Sequence, residues 1–189
     1  MSDYDQNNVH GVVVLGTEAA DTFANHGAAS FIWGDSGNDK IRNHQRDVTI
    51  NGAGGKDTIN NWGDTVKIDA GAGTDYIYSY YSTISGGKDN DIIILDSSGH
   101  NNVIAYASGD GNDKIYNLGA TDTLSISGGS YTSVTSGNDV ILTVGSGKIT
   151  LVGNKGNTLN IKGTYGGSSS SITSGNQKIL TVTNSSKSP

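Results

Sequence analysis

The residues best suited to chemistry are aspartates that recur at a regular interval and close glycine-rich turns. Of the 18 acidic residues only Glu18 is a glutamate. Aspartate fits tight turns and brings its carboxylate close to the backbone, and carboxylate and carbonyl oxygens are the ligands that a hard cation such as Ca²⁺ takes. The pattern therefore predicts a series of oxygen-rich turns that bind a divalent cation. The closing aspartates are Asp21, Asp39, Asp57, Asp75, Asp91 and Asp113.

The glycines in these turns allow positive φ, so the backbone can curl and aim its carbonyl oxygens inward. One turn offers about three oxygens and two stacked turns about six, which is enough for Ca²⁺, whereas Mg²⁺ demands stricter octahedral geometry. The first turn, 16–21, lacks the inner glycines and is left out of the predicted site. The predicted metal-site residues are Gly34, Ser36, Asp39, Gly52, Gly54, Asp57, Gly71, Gly73, Asp75, Asp89, Asp91, Gly109, Gly111 and Asp113.

A nine-residue apolar repeat must position these turns. This period fits a short strand plus a turn, and the aspartate falls on every second repeat, so one coil takes 18 residues. The sequence predicts an all-β fold, a parallel β-roll (β-solenoid) of about six coils over residues 14–124. The inward-facing residues of the regular part are Ile32, Ile41, Ile50, Ile59, Ile68 and Ile77.

The turns on the opposite side of each coil carry a different set of columns. Asn25, Asn43 and Asn61 are 18 residues apart and predict a side-chain ladder. An aromatic column beside them is expected to stack at the strand spacing of ~4.8 Å. Its members are His26, His44, Trp62 and Tyr80.

The chain divides into three predicted regions. Residues 1–11 form an N-terminal extension, residues 12–124 the β-roll, and residues 125–189 a β-rich cap that covers the open end of the roll. The cap region is expected to contain a flexible loop at 168–171 and a frayed tail at 185–189.

The turns resemble the nonapeptide Gly-Gly-x-Gly-x-Asp-x-aliphatic-x of the hemolysin-type, repeats-in-toxin (RTX) calcium-binding family. The best matches are 34–41, 52–59 and 109–115, and the resemblance covers residues 12–155. It implies a right-handed parallel β-roll, calcium between successive turns, type I export from a bacterium, and folding that awaits the higher calcium outside the cell. Family members commonly carry the Gly-Asp turn on both sides. The opposite turns here end in Ser30, Val48, Val66, Ser82 and Asn102, so calcium is expected on one side only.

Composition excludes several function classes. The net charge of −6 disfavours nucleic acid, which needs a basic face, and no apolar run is long enough to insert into a membrane. The absence of cysteine excludes disulfides and thiolate metal sites. Residues 34–37 copy the nucleophile segment of trypsin-like proteases, yet no histidine stands in a fitting context. The chain is therefore expected to be a non-catalytic module, and the resemblance to the RTX family implies that it is extracellular.

Several roles stay open for such a module. It is expected to serve as an adhesin, surface-layer or export segment, with calcium ions and a cell-surface glycan or protein as partners. One alternative is a glycan-binding module that uses the aromatic face around Trp62, and another is an accessory domain of a secreted hydrolase or epimerase. A further alternative is a metal-free solenoid in which aspartate only closes turns.

Overall fold

The computed structural model describes residues 4–98, 101–166 and 181–183, and every regular element in these ranges is a β-strand. The predicted loop at 168–171 and tail at 185–189 lie outside the described residues. The strands are β1 (Tyr4–Asn7), β2 (Val13–Leu15), β3 (Thr22–Asn25), β4 (Phe31–Trp33), β5 (Lys40–Asn43), β6 (Thr49–Asn51), β7 (Thr58–Asn61), β8 (Val66–Ala72), β9 (Tyr76–Ser79), β10 (Ser82–Lys88), β11 (Ile92–Leu95), β12 (Val103–Ala107), β13 (Asn112–Tyr116), β14 (Thr123–Ser136), β15 (Asp139–Val144), β16 (Gly147–Val152), β17 (Asn160–Tyr165) and β18 (Thr181–Thr183).

Each strand from β1 to β12 pairs in parallel with the strand two further along the chain. The pairing joins residues one coil apart, so Ile32 faces Ile50 and Ile41 faces Ile59. Odd-numbered strands therefore stack on one side of the coil and even-numbered strands on the other. The predicted parallel β-solenoid of about six coils with an 18-residue repeat is confirmed.

The core is a continuous column of aliphatic side chains between the two stacks of strands. Ile32, Ile41, Ile50 and Ile59 are fully buried, and the column continues through Leu124. Burying one such side chain contributes about 2–3 kcal/mol of hydrophobic free energy. Because alternate residues of a strand face opposite ways, the same strands leave their other side chains in solvent. The inward column was correctly predicted from the nine-residue period.

A ladder of side-chain amides runs along the turns that lack aspartate. Asn7 Nδ2 donates to Asn25 Oδ1 at 2.6 Å, and the same bond joins Asn25 to Asn43 and Asn43 to Asn61 at 2.7 Å. Each of the latter three amides also donates to a carbonyl of its own turn. The ladder ends where Asn61 Nδ2 donates to Ser82 Oγ at 3.0 Å. The predicted asparagine ladder is confirmed.

The aromatic column is shorter than predicted. The His26 and His44 rings stack with centroids 4.9 Å apart, and the His44 and Trp62 rings with centroids 4.7 Å apart. The prediction was wrong at Tyr80, whose ring contacts Tyr81 instead. The turn that contains Tyr80 has only residues 80–81 between its strands, against 62–65 in the preceding coil, so the ring is not carried out over Trp62.

The C-terminal part combines parallel stacking with an antiparallel insertion. β14 begins in parallel register with β12, then pairs antiparallel with β15, which pairs antiparallel with β16. β16 returns to stack in parallel on β13, and β17 stacks on β14. The predicted boundary at residue 124 stays a prediction. Among the residues described, no helix is long and apolar enough to cross a membrane.

Replacing Asn43 by alanine is expected to destabilise the protein by about 2–3 kcal/mol, because buried partners in both neighbouring coils lose their hydrogen bonds. The measurement is thermal unfolding, with an expected fall in Tm of roughly 5–10 °C. Asn60→Ala is the matched control, since Asn60 is half-buried on β7 and faces away from the core. Equal effects of the two substitutions would show that the ladder contributes nothing specific.

Candidate metal centre

The aspartates form a ladder of their own on the side of the coil opposite the asparagines. The backbone N–H of Asp39 donates to Asp57 Oδ1 at 2.8 Å, and the N–H of Asp57 donates to Asp75 Oδ1 at the same distance. The pattern extends backward to Asp21 and forward to Asp113, with distances of 2.8–2.9 Å. Each carboxylate therefore uses one oxygen to tie its coil to the preceding coil.

The second carboxylate oxygen has no partner in four of the glycine-rich turns, and Asp113 is not among them. The Oδ2 atoms of Asp39, Asp57, Asp75 and Asp91 are buried and accept no hydrogen bond, and each residue is at most 1% exposed. An unsatisfied buried polar atom is rare in proteins and costs about 1–3 kcal/mol when the group is neutral, and more when it is charged. These four oxygens therefore require a partner that the protein chain does not supply.

Two aspartates of the same solenoid show what a self-sufficient turn looks like. Asp21 Oδ2 accepts the Thr17 backbone N–H at 2.6 Å and the Thr17 hydroxyl at 3.0 Å. Asp122, on the opposite side of the coil, accepts the Gly119 backbone N–H with Oδ2 at 2.8 Å. The missing partner is therefore not a general property of aspartate in this fold, because both of these turns satisfy Oδ2. The sequence likewise indicated that the turn at 16–21, which ends in Asp21, is not part of the metal site.

Backbone conformation differs between the two kinds of turn. Thr17 precedes its aspartate by four residues and does not have positive φ. At the same place in the later turns Asp35, Ala53, Gly71 and Gly87 have φ of 69°, 72°, 107° and 98°. In these turns the backbone N–H of that residue does not donate to Oδ2, which has no donor. Non-glycine residues adopt this left-handed conformation at a cost, so Asp35 and Ala53 are positions of local strain. Their sequence carries no signal for it.

Glycines let the unpartnered oxygens of Asp39, Asp57 and Asp91 approach the backbone closely. A Cβ on Gly34 would lie 2.4 Å from Asp39 Oδ2 and 2.7 Å from the Gly52 carbonyl oxygen. A Cβ on Gly52 would likewise lie 2.4 Å from Asp57 Oδ2 and 2.5 Å from the carbonyl oxygen of the residue at 70. A carboxylate and a carbonyl oxygen thus converge where a side chain is missing. At position 70 the sequence has alanine, so the turn of Asp75 has less room.

The other predicted residues stack between these centres. Ser36 bridges to Gly54 and Gly54 to Ala72 in parallel, so successive turns lie directly over one another. The remaining members of the set take similar positions along the side of the rod. Gly71 pairs with Gly87 in the next coil. Positive φ is found at Gly73, Gly109, Gly111 and the exposed Asp89.

Burial raises the pKa of the aspartates. Desolvation is the largest cause and lifts the pKa of Asp39 to about 6, of Asp75 to about 7, of Asp91 to about 6 and of Asp113 to about 7. Neighbouring carboxylates add to it, while the backbone N–H on Oδ1 opposes it. The pKa of Asp57 is raised by the same burial. A cation beside these groups would favour their charged form.

The candidate metal centre consists of single carboxylates and backbone carbonyls and not of clustered acidic or histidine side chains. Within the described ranges no group of three or more His, Asp or Glu side chains is placed to hold a metal ion. One carboxylate per turn, together with backbone carbonyls, is the available donor set. All of these donors are oxygens, which suits a hard cation and not a soft one.

Comparison with known proteins gives little further information. No family model matches the chain, and no curated protein matches it. Among solved structures, the extracellular lipase LipA from Serratia marcescens aligns with a TM-score of 0.34 and 15% identity, over 75% of this chain and 38% of the lipase. The chain thus spans well under half of that protein, and a similarity this low carries no argument about function.

Replacing Gly55 by alanine is expected to destabilise the turns by about 3 kcal/mol or more. Gly55 has φ of 129°, and its Cβ would lie 1.7 Å from the Gly37 carbonyl oxygen. Gly54→Ala is the control, because its Cβ would meet nothing closer than 3.9 Å and the change is expected to be neutral or stabilising by up to about 1 kcal/mol. Urea unfolding of both variants measures the difference. A tolerated Gly55→Ala would contradict the tight stacking of the turns.

Without divalent cations, stability is expected to fall as pH rises from about 4 to about 8. The folded pKa of Asp75 is about 7 against an ordinary value of 3.8, so the folded state holds a proton that the unfolded state loses first. Stability is then greatest below the unfolded pKa and is lost as pH rises through the folded one. The acidic groups that face Asp75 are Asp57, Asp89 and Asp91, which act in the same direction. Tm measured in chelator across this range tests it, and a rising Tm would contradict it.

Proposed function

We propose that this chain is a calcium-binding β-roll module, in which Ca²⁺ supplies the partner that the buried aspartate oxygens lack. The observation that carries the proposal is the set of four buried Oδ2 atoms without a hydrogen bond. The contrast with Asp21 and Asp122 supports it, since both satisfy Oδ2 from the backbone. A solenoid that used aspartate only to close turns has no reason to leave the other four unsatisfied.

The residues that would hold the ion come from neighbouring turns. Asp39 with the carbonyl of Gly52 forms one donor pair, and Asp57 with the carbonyl at position 70 forms the next. Asp91 Oδ2 also lies against a glycine, because a Cβ on Gly86 would lie 2.3 Å from it, but no carbonyl oxygen is among the nearest atoms there. Bound calcium would neutralise a carboxylate that is otherwise costly to ionise in the interior.

The donor set favours calcium over magnesium. The turns offer backbone carbonyls and single carboxylates, and Ca²⁺ accepts irregular sets of six to eight oxygens at about 2.3–2.6 Å. Mg²⁺ needs near-ideal octahedral geometry at about 2.0–2.1 Å and retains several waters. Stacked carbonyls fixed by the coil spacing do not readily contract to that shorter distance.

Calcium would act on one side of the coil only. The opposite turns carry the asparagine ladder and the stacked rings, which complete their own hydrogen bonds and contacts. The ion would therefore stabilise the aspartate side of a solenoid whose other side needs no metal. We propose that the chain is a non-catalytic part of an extracellular bacterial protein, exported by a type I system, and that it serves as an adhesin, surface-layer or export module or as an accessory domain of a secreted hydrolase.

The test is a calcium titration followed by thermal unfolding, with Asp57→Asn as the variant. Asparagine keeps the Oδ1 acceptor for Asp39 and replaces the unpartnered oxygen by an amide. A site filled at a hundred times its Kd contributes about 2.7 kcal/mol, which corresponds to a rise in Tm of roughly 5–10 °C. The wild type should show this rise and Asp57→Asn a smaller one.

In chelator at pH 8, Asp57→Asn should have a higher Tm than the wild type, because the variant does not bury a charge at position 57. Asp69→Asn is the control, since Asp69 is exposed on β8 and its replacement makes the same change in net charge. Magnesium should raise the Tm of the wild type much less than calcium does. A wild-type Tm that does not respond to millimolar calcium would overturn the proposal.

A further inference from the structure

A recess lies on the wall of the solenoid away from the aspartate turns, where three successive coils meet. The middle coil has the short turn of residues 80–81 between β9 and β10, whereas residues 62–65 form the turn before β8. Because the middle turn projects less than the preceding one, it leaves a cavity of about 270 Å³. Small-molecule sites usually occupy roughly 300–1,000 Å³, so this recess suits one small ring.

The recess has an aromatic wall and a polar rim. Tyr81 contributes an exposed ring, and the starts of the three strands contribute exposed polar side chains. Its exposed polar residues are Thr65, Lys67, Thr83 and Asn101. Within the described part of the chain, the hydroxyls of Thr65 and Thr83 and the ammonium of Lys67 form no hydrogen bond or ion pair with another residue. These groups are therefore available to a ligand.

The backbone at Tyr81 is held in a conformation that does not favour tyrosine. Its φ is 50°, in the left-handed region that glycine and asparagine adopt more readily. A bulky residue there costs of order 1–3 kcal/mol, and 41% of its surface remains exposed. Ala29, Asp47 and Thr65 hold the equivalent place in the preceding coils and also have positive φ, so this conformation belongs to the turn and not to Tyr81 alone. What distinguishes Tyr81 is a large ring at the recess, whose exposed surface a stacking ligand would contact.

The chemistry of the recess points to a neutral sugar. A pyranose has an apolar C–H face that packs on an aromatic ring, and hydroxyls around its edge that pair with hydroxyl, amide and ammonium groups. An anionic ligand is disfavoured, because the recess offers it one lysine on a protein whose net charge is −6. An extended peptide would need a longer groove than a cavity of about 270 Å³ provides.

We infer that this recess binds a neutral pyranose unit of a glycan, with Tyr81 as the stacking platform and Thr65, Lys67 and Thr83 as hydrogen-bonding groups. The site is separate from the aspartate turns, because its residues lie at the opposite side of the coil. It therefore does not depend on the proposed calcium function. Failure of either proposal leaves the other intact.

Saturation-transfer NMR with methyl β-glucopyranoside, methyl β-galactopyranoside and methyl α-mannopyranoside tests the inference on the full chain. Transfer to at least one of them is expected, with a Kd at least tenfold weaker in Tyr81→Gly. Glycine tolerates the positive φ, so this variant should keep or exceed the wild-type Tm. Tyr76→Ala is the matched control, because Tyr76 is also exposed but lies on β9 away from the recess.

Binding should persist in chelator and in Asp57→Asn, which separates this site from the calcium turns. Trp62→Ala should also leave it unchanged, because Trp62 is not part of the recess. No transfer to any of the three pyranosides, or binding that survives Tyr81→Gly, would overturn the inference. Transfer only to methyl β-glucuronide or to a tetrapeptide pool, each run in parallel, would assign the recess to another occupant and overturn it as well.

Discussion

The parallel register places the side chains of each coil over their equivalents in the next, 18 residues further on in the regular part, at the spacing of hydrogen-bonded strands. This stacking repeats any favourable contact along the rod, and it repeats any unfavourable one. The isoleucine column, the asparagine ladder and the His26–His44–Trp62 stack are favourable repeats. The aspartate column is the unfavourable one, since it lines up buried carboxylates whose mutual repulsion and desolvation both raise their pKa.

Two devices reduce the cost of that column. The backbone N–H of one aspartate donates to Oδ1 of the next, which satisfies one oxygen in each turn and lowers the pKa that burial raises. The second oxygen is left beside a glycine such as Gly34 or Gly52, where a carbonyl from the neighbouring coil converges on the same space. Protonation can satisfy that oxygen below about pH 6–7, and a cation can do so above it. The two solutions compete, which links the proposed calcium affinity to pH.

Much of this could be predicted from the sequence, because a period is visible without knowing any contact. The nine-residue spacing of Ile32 and its equivalents determines the fold class, and the 18-residue spacing of Asn43 determines the ladder. The conformation within a turn could not be predicted in the same way. Asp35 and Ala53 adopt positive φ without a glycine to indicate it, and in their turns Oδ2 of the closing aspartate has no donor. Tyr80 was misplaced because it keeps the 18-residue step from Trp62, although the turn that holds it is two residues shorter.

The two sides of the coil differ in what holds them together, and this difference limits what calcium can do. Without the proposed calcium, the four buried carboxylates would be either protonated or charged without a partner. The asparagine ladder and the isoleucine column would be unchanged. The backbone pairing of the parallel strands and the asparagine ladder join successive coils without a metal. If calcium binds the aspartate turns as proposed, it would therefore complete one side of the β-solenoid and would not be needed to set the register of its coils.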